Sequence, residues 1–355
     1  MVSIRPFEGR DNTAMLDIEK LCTQGNEKLA MGVDKSPDII ARYKLYDNWK
    51  VLVAEEDGKI VGWTGWTVKH DPIKKEQYAY LVEVMVHPEF RKKGIATKLV
   101  MEAEKSAREI GSDHIYCYIL EENNASKALF EKLGYSGKRD LKICALSVFK
   151  KAAISQQFKI ERINKNEIHD VVNLINGYYS GRAHFVPYTP EIFESYINII
   201  PAYGSENFWV VKENGKIVAC AGLWDCSVLQ KMCFTKEPFM WKVMRGIFGF
   251  LSLFGKMPKI PAEGEYFAGH YITDHAFQQK SSDAMYNLIG HFNNILFDAR
   301  RDFFGPPPLD MNDPLFEIIK KFNPQIQSLS VFGKAFDREL PQFGSLYGDI
   351  RDAVL

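Results

Sequence analysis

The run Glu56-Asp57-Gly58-Lys59-Ile60-Val61 returns later in the chain as Glu213-Asn214-Gly215-Lys216-Ile217-Val218, each time behind an apolar run rich in β-branched residues. An Asp-Gly or Asn-Gly pair between two such runs marks a tight hairpin, because its turn needs positive φ at both central positions. The correspondence extends upstream: Ile4-Arg5 precedes the first hairpin and Ile160-Glu161-Arg162 the second, with two helix-like segments between in each case. Such an internal repeat predicts two related folding units, and 355 residues suit two cores better than one. The polar stretch around Ser155-Gln156-Gln157 reads as a linker. The expected domains are therefore residues 1–150 and 158–355, joined by 151–157.

In the first unit, strand-like Tyr80 to Val86 is followed by helical spacing from Thr97 to Ile110, strand-like His114 to Leu120, and a helix over Ala125 to Leu133 closed by Gly134. The order is mixed α/β. Lys plus Arg and Asp plus Glu both number 45, which removes any global electrostatic case for a nucleic-acid partner. The six cysteines form no C-x-x-C pair and no metal-ligand spacing, so a reduced, cytoplasmic setting and no metal are expected. Charges and Pro6 interrupt Met1 to Arg10 where an export signal would be apolar. The apolar run Phe239 to Phe254 is too short to span a bilayer and carries Lys242 and Arg245. Gly246, Gly249 and Ser252 recur in it at a spacing suited to close helix packing, so burial is expected, with a lid or an interfacial helix as the other reading.

The chemistry is carried by Arg91-Lys92-Lys93-Gly94-Ile95-Ala96, between a strand and a helix. Gly94 lets the backbone turn closely around a ligand, and the unpaired N–H groups of the first helical turn suit a pyrophosphate. Lys92 and Lys93 add attraction as flexible point charges, with backbone donors dominant. The longer run Val84-Met85-Val86-His87-Pro88-Glu89-Phe90-Arg91 to Ala96 resembles the acetyl-CoA motif of the GNAT N-acetyltransferase superfamily. Asn123-Asn124-Ala125-Ser126-Lys127-Ala128-Leu129-Phe130-Glu131-Lys132-Leu133-Gly134-Tyr135 resembles that family's second motif. The resemblance covers about residues 1–150. With the repeated hairpin it implies a tandem GNAT fold, each half a mostly antiparallel sheet with splayed central strands flanked by helices.

The resemblance implies that Met85 and Val86 bind pantetheine and the acetyl carbonyl, that Arg91, Lys92, Lys93, Gly94, Ile95, Ala96 and Thr97 wrap the pyrophosphate, and that Asn123 and Phe130 line the CoA arm. The reaction implied is attack of a primary amine, on a small molecule or a peptide, on the acetyl-CoA thioester in a ternary complex. Glu83, a carboxylate within the apolar run Leu81 to Val86, is the candidate base, weighed against a solvent-facing strand residue. Many family members carry a Tyr acid where this chain has Phe130. Tyr118 is the candidate replacement; Tyr135 and Tyr80 are weaker candidates, read as core and as pocket lining. The other reading is a CoA-binding sensor or scaffold without catalysis, favoured by Phe130.

In the second half the corresponding loop falls at Phe277-Gln278-Gln279-Lys280-Ser281-Ser282-Asp283, with Ser281 in place of the Gly and a carboxylate at Asp283. This half is expected to be a degenerate GNAT-like unit without its own acetyl-CoA, serving the acceptor site or the structure. His184, His270, His275 and His291 are scattered and receive no role. The loop specifies a donor and leaves acceptor and oligomeric state open.

Overall fold

The computed structural model describes residues 1–25, 27–71, 75–254, 257, 259–267, 269–337 and 343–353. The first half contains β1 (Ser3–Pro6), α1 (Asn12–Leu21), β2 (Ala30–Asp34), β3 (Trp49–Glu56), β4 (Lys59–Asp71), β5 (Glu76–Val86), α2 (Ile95–Glu109), β6 (His114–Leu120), α3 (Asn124–Lys132) and β7 (Ser136–Ser147). The second contains β8 (Lys159–Arg162), α4 (Ile168–Tyr179), α5 (Pro190–Ile199), β9 (Phe208–Glu213), β10 (Lys216–Asp225), β11 (Lys231–Lys236) and α6 (Phe239–Leu251). It continues through β12 (His270–Phe277), α7 (Ser282–Asp298), β13 (Phe303–Gly305), α8 (Pro314–Lys320) and β14 (Gln325–Ala335).

The two hairpins form as the sequence predicts. Asp57 and Gly58 have φ of 52° and 77°, and Asn214 and Gly215 have φ of 50° and 77°, the left-handed pair that the turn demands. Between the first strand and the hairpin the halves differ: the second half has two helices, α4 and α5, whereas the first has α1 followed by β2 and only a short 3-10 turn at Tyr43–Leu45. That departs from the expected pair of helices in each half.

Among the described residues the main sheet runs β1-β3-β4-β5-β6-β14-β7-β13-β12-β10-β9-β8, with Leu309–Asp310 pairing β7 as a thirteenth strand. The order is close to palindromic, and its centre is an exchange. β14, from the second half, lies between β6 and β7 and pairs antiparallel with both; β7, from the first, pairs antiparallel with β13. Each half thus lends its last long strand to the other's side of the sheet. The 151–157 segment lies along α7, where Asn294 and Asn287 accept from the Ala152 and Ser155 amides at 2.8 and 2.5 Å.

The repeat also packs alike. In the first half Leu99, Val100, Ala103 and Ala107 of α2 bury one face against Leu52, Ala54, Ala79 and Leu81. In the second, Met285, Leu288, Ile289 and Phe292 of α7 bury one face against Val211, Ala219 and Ala221. These are the apolar stripes of amphipathic helices laid on a sheet. A small second sheet joins the halves: β11 pairs antiparallel with β2, Cys233 opposite Gly32.

The expectation that Phe239 to Phe254 is buried is overturned. No residue of α6 is buried, and Phe239, Phe250, Leu253 and Phe254 are 77, 64, 75 and 79% exposed. The small-residue spacing does not mark a packed helix, because a Cβ added at Gly246 or Gly249 would meet nothing within 4 Å.

Candidate active site

β5 and β6 run parallel and pair only at Tyr78↔His114, Ala79↔Ile115 and Tyr80↔Tyr116. Beyond Tyr80 the partners separate: β5 continues on β4, with Met85 opposite Trp63 and Val86 opposite Gly62, while β6 continues on β14, with Cys117 opposite Phe332. The facing edges of Val82–Val86 and Cys117–Leu120 are left to line a wedge. A register shift where Gly65 and Trp66 face Glu83 and Leu81 makes Val82 an extra residue in β5. Such bulges bend a strand and re-aim its groups.

At the mouth of the wedge the chain turns through Lys92 (φ 63°) and Gly94 (φ 76°). Gly94 is the N-cap of α2, and a Cβ there would meet nothing within 4 Å, so glycine is needed for its backbone conformation rather than for room. The Lys98 N–H bonds the Gly94 carbonyl at 3.1 Å, and the earlier N–H groups of Ile95, Ala96 and Thr97 have no partner within the helix. Three converging donors and the positive end of a 15-residue helix make an anion cradle. Arg91 ties this loop to the strand, its Nε donating to the Val86 carbonyl at 3.2 Å. Lys92 and Lys93 are exposed and Ile95 is buried in the core. Asn123 caps α3 by accepting from the Ser126 amide at 3.1 Å. Phe130 is buried, its ring edge-on to Tyr135 at 4.9 Å.

Glu83 is not a solvent-facing strand residue. Its side chain is 9% exposed and pairs with Lys35, while Arg42 approaches it at 3.6 Å. Lys35 also bonds Glu19 at 3.0 Å, and both of those side chains are under 5% exposed. Burial pushes the Glu19 carboxyl up and would push the Lys35 ammonium down, but the two acids outweigh it and hold Lys35 above the ordinary lysine value. Tyr118 projects among Tyr80 and Tyr116, with ring centroids 5.2 and 5.8 Å away, and among the described residues its hydroxyl has no hydrogen-bond partner. Burial raises that phenol well above its usual value, which keeps it protonated and makes it a weaker acid than an exposed tyrosine.

The sequence gives no signal for one further component. The segment around Ile350–Ala353 enters beside this cluster. Asp352 accepts from Tyr46, from Tyr116 at 2.8 Å and from Lys69 at 2.6 Å. Its carbonyl accepts from Arg42 and, at 3.3 Å, from Tyr80. The tail of the second half thereby holds the Arg42 that faces Glu83.

The second half repeats the frame and alters the cradle. Gln278 N–H donates to the Val218 carbonyl at 2.9 Å, as His87 N–H donates to Val61 at 2.9 Å. From there eight residues, 87–94, reach α2, whereas only four, 278–281, reach α7. Ser281 occupies the N-cap, without a left-handed turn before it. A cavity of about 580 Å3 opens here, lined by Leu174, Tyr178, Arg182, Phe277, Ser282 and Ile318 among others. Beside it Asp313 accepts from Arg182, Tyr178 and His275, which together hold its carboxyl well below the usual range despite burial.

Asp274 sits at the matching bulge of β12, where Tyr347 and Tyr188 donate to it at 2.7 and 3.1 Å. Burial pushes its carboxyl up to about 6. Between about pH 4 and pH 6 the unfolded carboxyl has lost its proton and the folded one has not, so this group's stability is present below that window and lost as pH rises through it, by about 3 kcal/mol. Asp274→Asn is therefore expected to raise the melting temperature at pH 8 but not at pH 4; an equal effect at both would exclude this origin.

An opened mixed sheet with an anion cradle at the mouth of its wedge is the arrangement that the resemblance to the GNAT superfamily implies. Comparison with known proteins agrees. Residues 14–135 match the Acetyltransferase (GNAT) family. The chain is 31% identical over 156 residues to an acetyltransferase of Photorhabdus laumondii, plu1384, spanning 44% of this chain and 99% of that protein. It is 30% identical over 172 residues to the probable N-acetyltransferase HLS1 of Arabidopsis thaliana, spanning 42% of this chain but only 43% of that one. A tandem GNAT protein from the clavulanic acid biosynthesis pathway superposes with a TM-score of 0.58 over 96% of this chain and 100% of that one, at 10% identity, which speaks for the fold alone. The chain belongs to the GNAT acetyltransferase family. Among the described residues no cluster of His, Cys, Asp and Glu could hold a metal, and no helix is long and apolar enough to cross a membrane.

Proposed function

We propose that the chain is an N-acetyltransferase that moves acetyl from acetyl-CoA to a primary amine of a small molecule or peptide within a ternary complex. The observation that carries this reading is the wedge: paired strands part after Tyr80 and Tyr116, and three unpartnered helical N–H groups converge at its mouth. Acetyl-CoA supplies the thioester. The Ile95 to Thr97 amides and the Lys92–Gly94 turn hold its pyrophosphate, and Met85 and Val86 bind its pantetheine and the acetyl carbonyl, with Arg91 on the Val86 carbonyl. Asn123 and Phe130 line the arm. Glu83 takes the amine proton, in competition with Lys35 and Arg42 for its oxygens, and Tyr118 gives its proton to the departing thiolate. Residues 1–150 thus bind the donor. Residues 158–355 shape the acceptor side, a role supported by the β11–β2 pairing and by Asp352 beside Arg42.

Thiol release from acetyl-CoA with a panel of primary amines tests this. Glu83→Gln is expected to lower kcat by about 100-fold, the low end of the range for a positioned acid or base, and Tyr118→Phe by about 10-fold, below that range because a thiolate is a tolerable leaving group. The engagement of Glu83 by two cations and the missing hydroxyl at Phe130 favour one second reading, a CoA-binding sensor. Tight CoA binding with no turnover on any amine would select it.

A further inference from the structure

Helix α6 presents its apolar side to solvent. The half-buried Trp241, Met244, Arg245 and Phe248 lie on one side of the helix, where Trp241 packs edge-on against Phe234 of β11 at 5.1 Å. On the other, at i, i+4, i+8 and i+11 spacing, stand Phe239, Val243, Ile247 and Phe250, joined by Met240 and Leu251, all 38–77% exposed. The following Leu253 and Phe254 extend this patch. A soluble surface rarely leaves so many large apolar side chains contiguous without a partner.

Charge narrows what that partner is. From Pro238 to Ala262 the sequence has no Asp or Glu, but four cations: Lys242, Arg245, Lys256 and Lys259. Lys256 lies outside the described residues. Lys242 is 54% exposed beside the apolar face, and β11, on which the helix is mounted, adds the exposed Lys231 and Lys236. Of the nearby acids, Glu237 is buried beneath Arg245, and Glu263 is exposed on the segment that bridges to Phe234 of β11. Lys259 is engaged by Glu265 at 2.5 Å. A second copy of the chain seated on this patch would bring together more cations than acids to meet them. An anionic lipid surface offers what the patch lacks: an apolar layer for the Phe, Ile and Leu side chains, and phosphate and carboxylate headgroups for the lysines.

We propose that α6 and Leu253-Phe254 form an interfacial anchor that docks this protein reversibly on an anionic bilayer, the helix lying in the membrane plane. The anchor is coupled to the acceptor side of the wedge, because β11 pairs with β2, and the chain leaving β2 places Lys35 on Glu83.

Sedimentation with phosphatidylcholine vesicles containing about a third phosphatidylserine tests the anchor directly. The full chain is expected to pellet with these vesicles, to pellet at least several-fold less with phosphatidylcholine alone, and to be released by salt. Ile247→Glu with Phe250→Glu should reduce binding at least tenfold, and Lys242→Glu several-fold. Both leave the core untouched, so an unchanged melting temperature is expected. An independent readout on an otherwise intact chain is Phe250→Trp, whose fluorescence should shift to the blue on adding the anionic vesicles and be quenched by brominated acyl chains. Absence of binding to every vesicle would overturn the proposal. So would a wild-type dimer that the Ile247/Phe250 variant dissociates while neither protein binds lipid. Thiol release from acetyl-CoA by the same variants reports separately on the transferase reading.

Discussion

Lys35→Met is expected to cost about 3–5 kcal/mol of folding stability, because it removes the cation that contacts both Glu19 and Glu83, leaving Glu19 without that partner and Glu83 with Arg42 at 3.6 Å in a closed site. The methionine matches the aliphatic stem, so the loss reports charge rather than volume. Denaturant unfolding measures it, and a second substitution discriminates: Glu83→Gln in the Lys35→Met background should recover part of the loss, since one of the two carboxylate charges is gone. A cost under about 1 kcal/mol would mean that the cluster is solvated and that Glu83 is free of it.

Gly94→Val is expected to weaken CoA binding at least tenfold, about 1.4 kcal/mol, with a smaller loss of stability. A β-branched residue at φ 76° is strained by about 1–2 kcal/mol, and the chain relieves that strain by moving the turn that begins α2. The N–H groups of Ile95, Ala96 and Thr97 then no longer converge. Gly94→Ala should act in the same direction but less strongly. Unaltered CoA affinity in the valine variant, measured by titration calorimetry, would remove the cradle from the account.

What the sequence made legible is local. The two hairpins and the strand–loop–helix around Arg91 to Thr97 are each fixed within about a dozen residues, and each forms as read; that Asn123 caps α3 is seen only in the structure. The wedge follows from the resemblance and is seen where pairing stops after Tyr80. What was not legible is set by contacts distant in sequence. Nothing near β14 says that it will enter between β6 and β7, since its apolar pattern suits any central strand. The Lys35–Glu83 pair joins residues on separate elements, and Asp352 reaches Arg42 from the far end of the chain. Glu83 therefore reads from sequence as a lone carboxylate in an apolar strand, and only the fold supplies its cations. In α6 the reason is of another kind: Gly246 and Gly249 have the spacing of packing positions, whereas the structure leaves them facing open space and turns the large residues outward.

The shortened 278–281 loop matters most for how many donors the protein holds. The second half keeps the sheet, the helix and a cavity of about 580 Å3, but lacks the four residues and the left-handed turn that build the first cradle. Calorimetric titration of the full chain with acetyl-CoA tests this directly, run on the wild type and on Gly94→Val. One site per chain is expected, lost or weakened at least tenfold in the variant. Two sites in the wild type, or a single site that survives Gly94→Val unchanged, would place the donor in the second half and contradict it.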